Sequence, residues 1–320
     1  MSQAETKRRT IVQQEKNMRS GTSHPGRQGR DELVPSRYAV RVGEIDVLVI
    51  SDGMIWIPAE AMATNADPAV RAAWLDDRFL PQDELDWALN AFVVRSGGQT
   101  ILIDSGLGGE YAGYPRAGQF VHRLEAAGVD FASVTDVVLT HMHFDHVGGL
   151  LVDGVKDRLR PDLRVHVSAA ETRFWESPDF SRTAIPPEFV EVICRASRQF
   201  LNEYRSRIRT FEEESEVAPG VVVTRTGGHT PGHSVVRLAS GGDRLMFAGD
   251  ALLPASFDHP EWHNGFEHDP EEATRVRLRL MRELADTGSL LVSTHMPFPS
   301  VGHVAAAGNL FRWVPAWWDY

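Results

Sequence analysis

A layered α/β protein, with sheets covered by helices, is what this sequence predicts. β-rich runs come in pairs through the first third of the chain, strands alternate with amphipathic helices beyond it, and four strand ends carry histidine or aspartate. With 320 residues, 42% of them hydrophobic and 9% aromatic, the chain can bury a sizeable core in one large domain or two small ones.

Residues 1–36 are polar, charged and almost devoid of aromatics, the composition of a flexible arm. Met18 could serve as an alternative start. One folded domain is expected over residues 37–320. The run "YAVRVGEIDVLVISDG" is β-rich and ends on a turn signal at Asp52-Gly53. Residues 67–89, "DPAVRAAWLDDRFLPQDELDWAL", read as short helices broken by Pro81. "NAFVVRSGGQTILIDSG" gives two strands around a Gly97-Gly98 turn. "GQFVHRLEAAGVDFASV" opens as an amphipathic helix that stops at Gly128, and "DVVLT" follows as a buried strand. Strand "LRVHVS" (163–168) precedes a helical region over 169–209 that is interrupted near "IPPE". "GVVVTRTGGHTPGHSVVRLAS" and "RLMFAGDALL" are β-rich again. Helix "DPEEATRVRLRLMRELADTG" leads to strand "SLLVSTH" and a loop-rich, tryptophan-rich tail.

Composition narrows the function. With 44 acidic against 33 basic residues and a net charge of −11, a nucleic-acid backbone is disfavoured as the main partner. No window approaches the roughly 18 apolar residues of a membrane span, and the N-terminus has no apolar core of a signal peptide, so no membrane partner and a cytoplasmic location are expected. The single cysteine, Cys194, allows neither an intrachain disulfide nor a thiolate cluster, and within "FVEVICRASRQFL" it reads as core.

The chemistry concentrates in "THMHFDHVGG", residues 140–149, where three histidines and an aspartate fall within six positions. In extended backbone, residues i and i+2 point the same way, so His141 and His143 can chelate one ion. Asp145 and His146 fall where the chain turns and can face a second position, while Gly148 and Gly149 let the backbone pass close by. His229 and His233 in "GGHTPGH", Asp250 in "FAGDALL" and His295 in "VSTHMPFP" end three further strands, the place where loops converge in α/β sheets. A lone histidine such as His122 or His166 reads as a surface or satisfied core residue. Thirteen histidines scattered over 320 positions would rarely cluster this way, so metal ligation is the reading. Imidazole and carboxylate donors suit zinc, and also manganese, iron, cobalt or nickel.

"HMHFDH", followed in order by "GGHTPGH", "GDA" and "THMPFP", resembles the HxHxDH signature and later ligand motifs of the metallo-β-lactamase superfamily. That resemblance covers residues 37–320 and implies a four-layer αβ/βα sandwich with two divalent ions along one edge, most simply Zn2+. It implies that His141, His143 and His229 hold one ion and that Asp145, His146 and His295 hold the other. Asp250 would bridge them, and Asp145 and Asp250 become the catalytic carboxylates. "LIDSG" resembles a supporting segment of the family, which makes Asp104 an orienter of a ligand histidine. His233 is expected to support rather than ligate. Softer motifs, "NAFVVRSGGQTILIDSG", "THMPFPSVGHV" and "FRWVPAW", resemble the branch holding methyl parathion hydrolase and quorum-quenching lactonases. They make Phe174 and Trp175 in "RFWESPDF", with Phe298 and His268, candidates for the substrate pocket. No tyrosine lies between Asp250 and His268, where a smaller subgroup of lactonases carries one.

The resemblance implies hydrolysis by metal-bound hydroxide acting on a lactone of N-acyl homoserine type, or alternatively on an organophosphate triester. Asp250 could accept or shuttle a proton. No G-x-S-x-G elbow offers a serine nucleophile. A glutathione thioesterase would want a longer helical end than the 25 residues after His295, and a nuclease would want a basic surface. A rival of another class is an iron-dependent persulfide dioxygenase, which would need fewer of these ligands. A homodimer is expected by analogy with the branch, with "FRWVPAWWDY" as a candidate apolar patch.

Overall fold

Alternation of apolar and polar residues builds two sheets of seven strands each. The computed structural model describes residues 34–109, 113–185 and 187–318, so nearly all of the arm expected over 1–36 lies outside the described residues. The first sheet runs in chain order: β1 (Arg37–Val42), β2 (Ile45–Pro58), β3 (Glu84–Ser96), β4 (Gln99–Ile103), β5 (Asp136–Val138), β6 (Arg164–Ser168) and β7 (Ile208–Phe211). Its first four strands pair antiparallel and the rest parallel. The second sheet holds β8 (Glu214–Ala218), β9 (Val221–Arg225), β10 (Ser234–Ser240), β11 (Asp243–Phe247), β12 (Leu290–Val292), β13 (Gly302–Ala307) and β14 (Leu310–Pro315), antiparallel except between β11 and β12.

The helices are α1 (Pro68–Asp76), α2 (Phe120–Ala126), α3 (Phe144–Val147), α4 (Val155–Arg158), α5 (Ala169–Glu176), α6 (Pro187–Tyr204) and α7 (Pro270–Thr287). Between the sheets, Val47, Val49, Phe92 and Ile101 meet Val223, Val236, Leu245 and Phe247 in one apolar layer. Phe92 and Phe247 touch across it at 4.3 Å. The other face of the first sheet packs on α2 and α6 through Phe120, Leu124, Ile193 and Phe200. The outer face of the second sheet packs on α7, whose Val276, Leu280, Met281 and Leu284 recur at helical spacing. Asp269 caps that helix through the Glu272 amide, and Gly288 ends it in the left-handed region. Helix, sheet, sheet, helix is the four-layer sandwich that the sequence implied.

Three local readings are corrected. Asp52-Gly53 is a bulge inside β2, which continues to Pro58, rather than a turn that ends the strand. Residues 84–89 are the start of β3 rather than helix. Leu85, Trp87 and Leu89 are buried at every second position, a pattern that only a strand can place on one face. The tail is a hairpin, β13 and β14, turning at Gly308-Asn309; its tryptophans obscured the alternation. Strands β7 and β8, which the sequence reading passed over, extend the two sheets on either side of residues 212–213. Cys194 is half-buried against the core. Among the described residues no helix is long and apolar enough to cross a membrane.

Candidate metal centre

Loops leaving β4, β5, β9, β11 and β12 converge at one edge of the sandwich. After β5 the chain passes through His141 and His143 in extended form and turns into α3, which carries Asp145 and His146. Gly148 and Gly149 follow, and their backbones lie against residues 105–108 so closely that a Cβ would sit 2.0 Å from the Leu107 oxygen or 2.1 Å from the Ser105 oxygen. That tight approach fixes the loop against the segment after β4. His229 comes from the β9–β10 loop, Asp250 from the end of β11 and His295 from the end of β12.

The donor atoms meet. His229 Nε2 lies 3.2 Å from His143 Nδ1, and Asp250 Oδ2 lies 3.4 Å from His229 Nε2, 3.9 Å from His141 Nε2 and 2.9 Å from His295 Nε2. The other oxygen of Asp250 is 3.3 Å from His146 Nε2, and Asp145 Oδ2 is 3.7 Å from both His146 Nε2 and His295 Nε2. Two groups arise, His141–His143–His229 and Asp145–His146–His295, with Asp250 beside both. Ligands about 2.0–2.1 Å from a tetrahedral ion stand roughly 3.3 Å apart, the scale of these separations. His141 Nε2, His146 Nε2 and Asp250 Oδ1 are buried with no hydrogen-bond partner. Buried polar atoms are ordinarily satisfied, so this concentration of unsatisfied donors fits metal ions, and the donor chemistry fits zinc-class cations.

The surrounding residues set the tautomers. His146 Nδ1 lies 2.8 Å from Asp104, which also accepts from the Thr140 amide and hydroxyl. His295 Nδ1 donates to the Ala88 carbonyl at 2.8 Å. Each bond keeps the proton on Nδ1 and leaves Nε2 free to ligate. Asn90 holds the His295 loop by donating to the Thr294 and Met296 carbonyls. His233 does not present a free atom: Nδ1 pairs with Thr226 and Nε2 accepts from the Asp250 amide at 3.1 Å.

Burial and neighbouring imidazoles hold His141 and His143 well below the usual imidazole range; burial, with His233 and His268 adding to it against the pull of Asp250, does the same for His229. Burial takes His233 to about 4. All four are neutral, the form that ligates or accepts. Burial would raise the Asp250 carboxyl, but the histidines around it win and hold it well below the carboxylate range. Burial raises Asp145.

Above the donors lies a narrow cavity of about 30 Å³, lined by His143, Asp145, His229, Asp250 and His295 and walled by apolar side chains including Ile57, Trp87 and Phe266. That is room for about two water molecules. None of the four residues expected in the substrate pocket lines it. Trp175 is buried beneath His143, with ring centres 6.0 Å apart, and donates to Glu171. Phe174 packs edge-on against His268 at 4.8 Å. His268 is buried among Phe174, Trp175 and Phe180, 5.8 Å from the His143 ring. Phe298 lines a larger neighbouring cavity of about 330 Å³, which shares Trp87 and His295 with the first. The resemblance that marked these residues did not tell packing beneath the ligands from the wall above them.

Glu171 was missed altogether. Fully buried in the first turn of α5, it accepts from the Met142 amide, the Trp175 indole, the Thr230 hydroxyl and the Gly232 amide. It ties the loop of His141 and His143 to the loop of His229. The only sequence signal was Trp175 one turn on, marking that face of α5 as inward.

Fold and donor set define a class, the metallohydrolase sandwich with its ligands on one sheet edge. The chain belongs to the metallo-beta-lactamase superfamily, whose family model matches residues 86–295. Among curated proteins it is similar to an atrochrysone carboxyl ACP thioesterase of Passalora fulva, 31% identical over 169 residues, which are 51% of this chain and 38% of that one. It is also similar to a probable metallo-hydrolase of Mycobacterium bovis, 26% identical over 51% of this chain and 56% of the other. The aligned part thus spans 38% and 56% of these relatives. Among solved structures it is similar to AidC, described as a dizinc quorum-quenching lactonase in complex with a product, N-hexanoyl-L-homoserine. The TM-score is 0.82 at 26% identity, covering 89% of this chain and 99% of AidC. The hydrolase AbOPH of the beta lactamase superfamily follows at TM-score 0.78 and 28% identity, covering 90% and 99%.

Proposed function

We propose that this protein is a dinuclear metal-dependent hydrolase that opens the ester bond of a lactone of N-acyl homoserine type. The observation that carries the reading is the convergence of seven donor side chains, with Asp250 reaching both groups and three buried donor atoms, His141 Nε2, His146 Nε2 and Asp250 Oδ1, lacking any other partner. The likeness to AidC over nearly the whole of both chains supports the lactone as substrate.

His141, His143 and His229 would hold one ion, Asp145, His146 and His295 the other, and Asp250 would bridge. When bound, zinc-class ions supply Lewis acidity and bring the pKa of water toward neutrality. The chain does the rest. Asp104 and the Ala88 carbonyl keep the Nδ1 protons of His146 and His295 in place. Asp250, which lines the cavity, can take the proton of the attacking water and deliver it to the leaving oxygen. The apolar wall of Ile57, Trp87 and Phe266 keeps bulk water out, and the neighbouring cavity of about 330 Å³ has room for an acyl chain. A homodimer belongs to this reading; Trp317, 97% exposed, supports it, and sedimentation would check it.

The test is metal content of the purified protein with assays on N-hexanoyl homoserine lactone and an aryl phosphotriester. Two zinc-like equivalents with lactone opening are expected, and His143→Ala or Asp250→Asn should abolish turnover and lower metal content. Phosphotriester turnover alone would select the organophosphate reading. One iron, oxygen consumption and no hydrolysis would replace the mechanism with a dioxygenase on the same fold.

A further inference from the structure

Besides the metal donors and the Trp87 indole, one polar side chain lines the narrow cavity: Asn264. It is 4% exposed, and its Nδ2 is buried with no hydrogen-bond partner. The amide orientation is settled by its other end, since Oδ1 accepts from the Phe266 amide at 2.9 Å. A flipped amide would set two donors face to face. What Asn264 offers the cavity is therefore an N–H.

This donor is held in advance. The Asn264 backbone amide donates to Glu267 Oε2 at 3.1 Å, and Glu267 pairs with the buried guanidinium of Arg277. Arg277 also donates to the Pro260 and Trp262 carbonyls, and the Gly265 amide reaches the Ala61 carbonyl at 2.8 Å. A buried amide hydrogen without an acceptor costs about 1–3 kcal/mol. A loop anchored this firmly keeps such a group where a ligand oxygen can satisfy it.

Resting on the hydrolase reading above, we propose that the Asn264 side-chain amide donates a hydrogen bond to the carbonyl oxygen of the scissile ester and stabilises the charge that gathers there during attack. Asn264 lines the same narrow cavity as Asp145, Asp250 and His295, so its amide and the donor groups face one small space. Preorganised donors at such positions are strong because they are desolvated before the reaction begins.

The experiment compares Asn264→Ala and Asn264→Asp with the wild-type protein, loaded with zinc, on N-hexanoyl homoserine lactone. Asp keeps the acceptor for the Phe266 amide and loses the donor, whereas Ala loses both. Both variants should keep two metal equivalents and lose about 100-fold in kcat/KM, mostly in kcat. A purely structural role predicts that Asp restores the rate, and that result would overturn the proposal. In 15N-labelled wild-type protein the Asn264 side-chain amide signals should move downfield on saturation with N-hexanoyl-L-homoserine; unmoved signals would overturn it as well. A wild-type protein that opens no lactone would sink the hydrolase reading and this proposal with it, whereas a wild-type protein that turns over, with Asn264→Asp equally active, would overturn the Asn264 assignment alone.

Discussion

Glu171 shows how a single side chain serves the metal centre without touching it. Its two oxygens take four donors, two of them backbone amides in different ligand loops. Removing the carboxylate in Glu171→Ala leaves the Met142 and Gly232 amides, the Thr230 hydroxyl and the Trp175 indole unpaired in a buried place. At about 1–3 kcal/mol for each group that cannot recover a partner, the loss should reach at least about 3 kcal/mol in urea unfolding. Zinc retention against a chelator should fall with it. Glu171→Gln keeps the volume and one good acceptor, so it should lose markedly less; equal losses in both variants would show that burial of the shape, not acceptance, is what matters. The candidate donors were legible from residue type and spacing, because metal chemistry restricts donors to a few side chains, and their division into two groups was implied by the family resemblance. Glu171 was not, because glutamate in a helix is ordinary and its partners lie up to 61 residues away.

At the level of elements, the bulge in β2 explains a misreading and sets up a test. Gly53 has φ +115°, and a Cβ there would stand 1.9 Å from the Arg116 oxygen. Next to it, Asp52 accepts from the Leu107, Gly118 and Phe120 amides, fastening β2 to the segment that precedes α2. Gly53→Ala should therefore cost at least about 3 kcal/mol, from strained backbone plus the clash. Circular dichroism during thermal unfolding would read it, and a variant within about 0.5 kcal/mol of wild type would show that the bulge yields easily. "DG" is a turn signal in isolation; only pairing with β3 on the far side shows that the strand runs on. Helices with long amphipathic spacing, α6 and α7, were readable because one face alone meets the core. The start of β3 was not, since Glu, Leu and Ala favour helix locally and the long-range ladder with β2 overrides them. The β13–β14 hairpin was lost for a related reason: "HVAAAGNLF" is weak in β-branched residues, and its identity comes from lying on the edge of a sheet over α7.

Across the whole molecule, both sheets bring a parallel strand pair, β4–β5 in one and β11–β12 in the other, to the same edge. The five histidines and two aspartates collected there are costly without ions: His141 Nε2 and His146 Nε2 are buried without a partner, and Asp145 and Asp250 lie in one desolvated space. Folding and metal binding must therefore be coupled, because ions that bind the native state alone stabilise it by RT ln(1 + [L]/Kd), about 2.7 kcal/mol at one hundred times Kd. Each kcal/mol moves the midpoint of a large domain by about 2–4 °C. Stripping the protein with a chelator should lower Tm by at least about 5 °C, and adding back zinc should restore it together with the metal count. The inter-sheet layer of Phe92, Val236 and Phe247 contains no ligand, so the stripped protein should keep its far-ultraviolet spectrum at room temperature. A stripped protein with unchanged Tm would mean that the donor cluster is satisfied without ions, and the metal assignment would fall. A stripped protein that loses its spectrum entirely would mean instead that the two sheets depend on the metal edge to stay together.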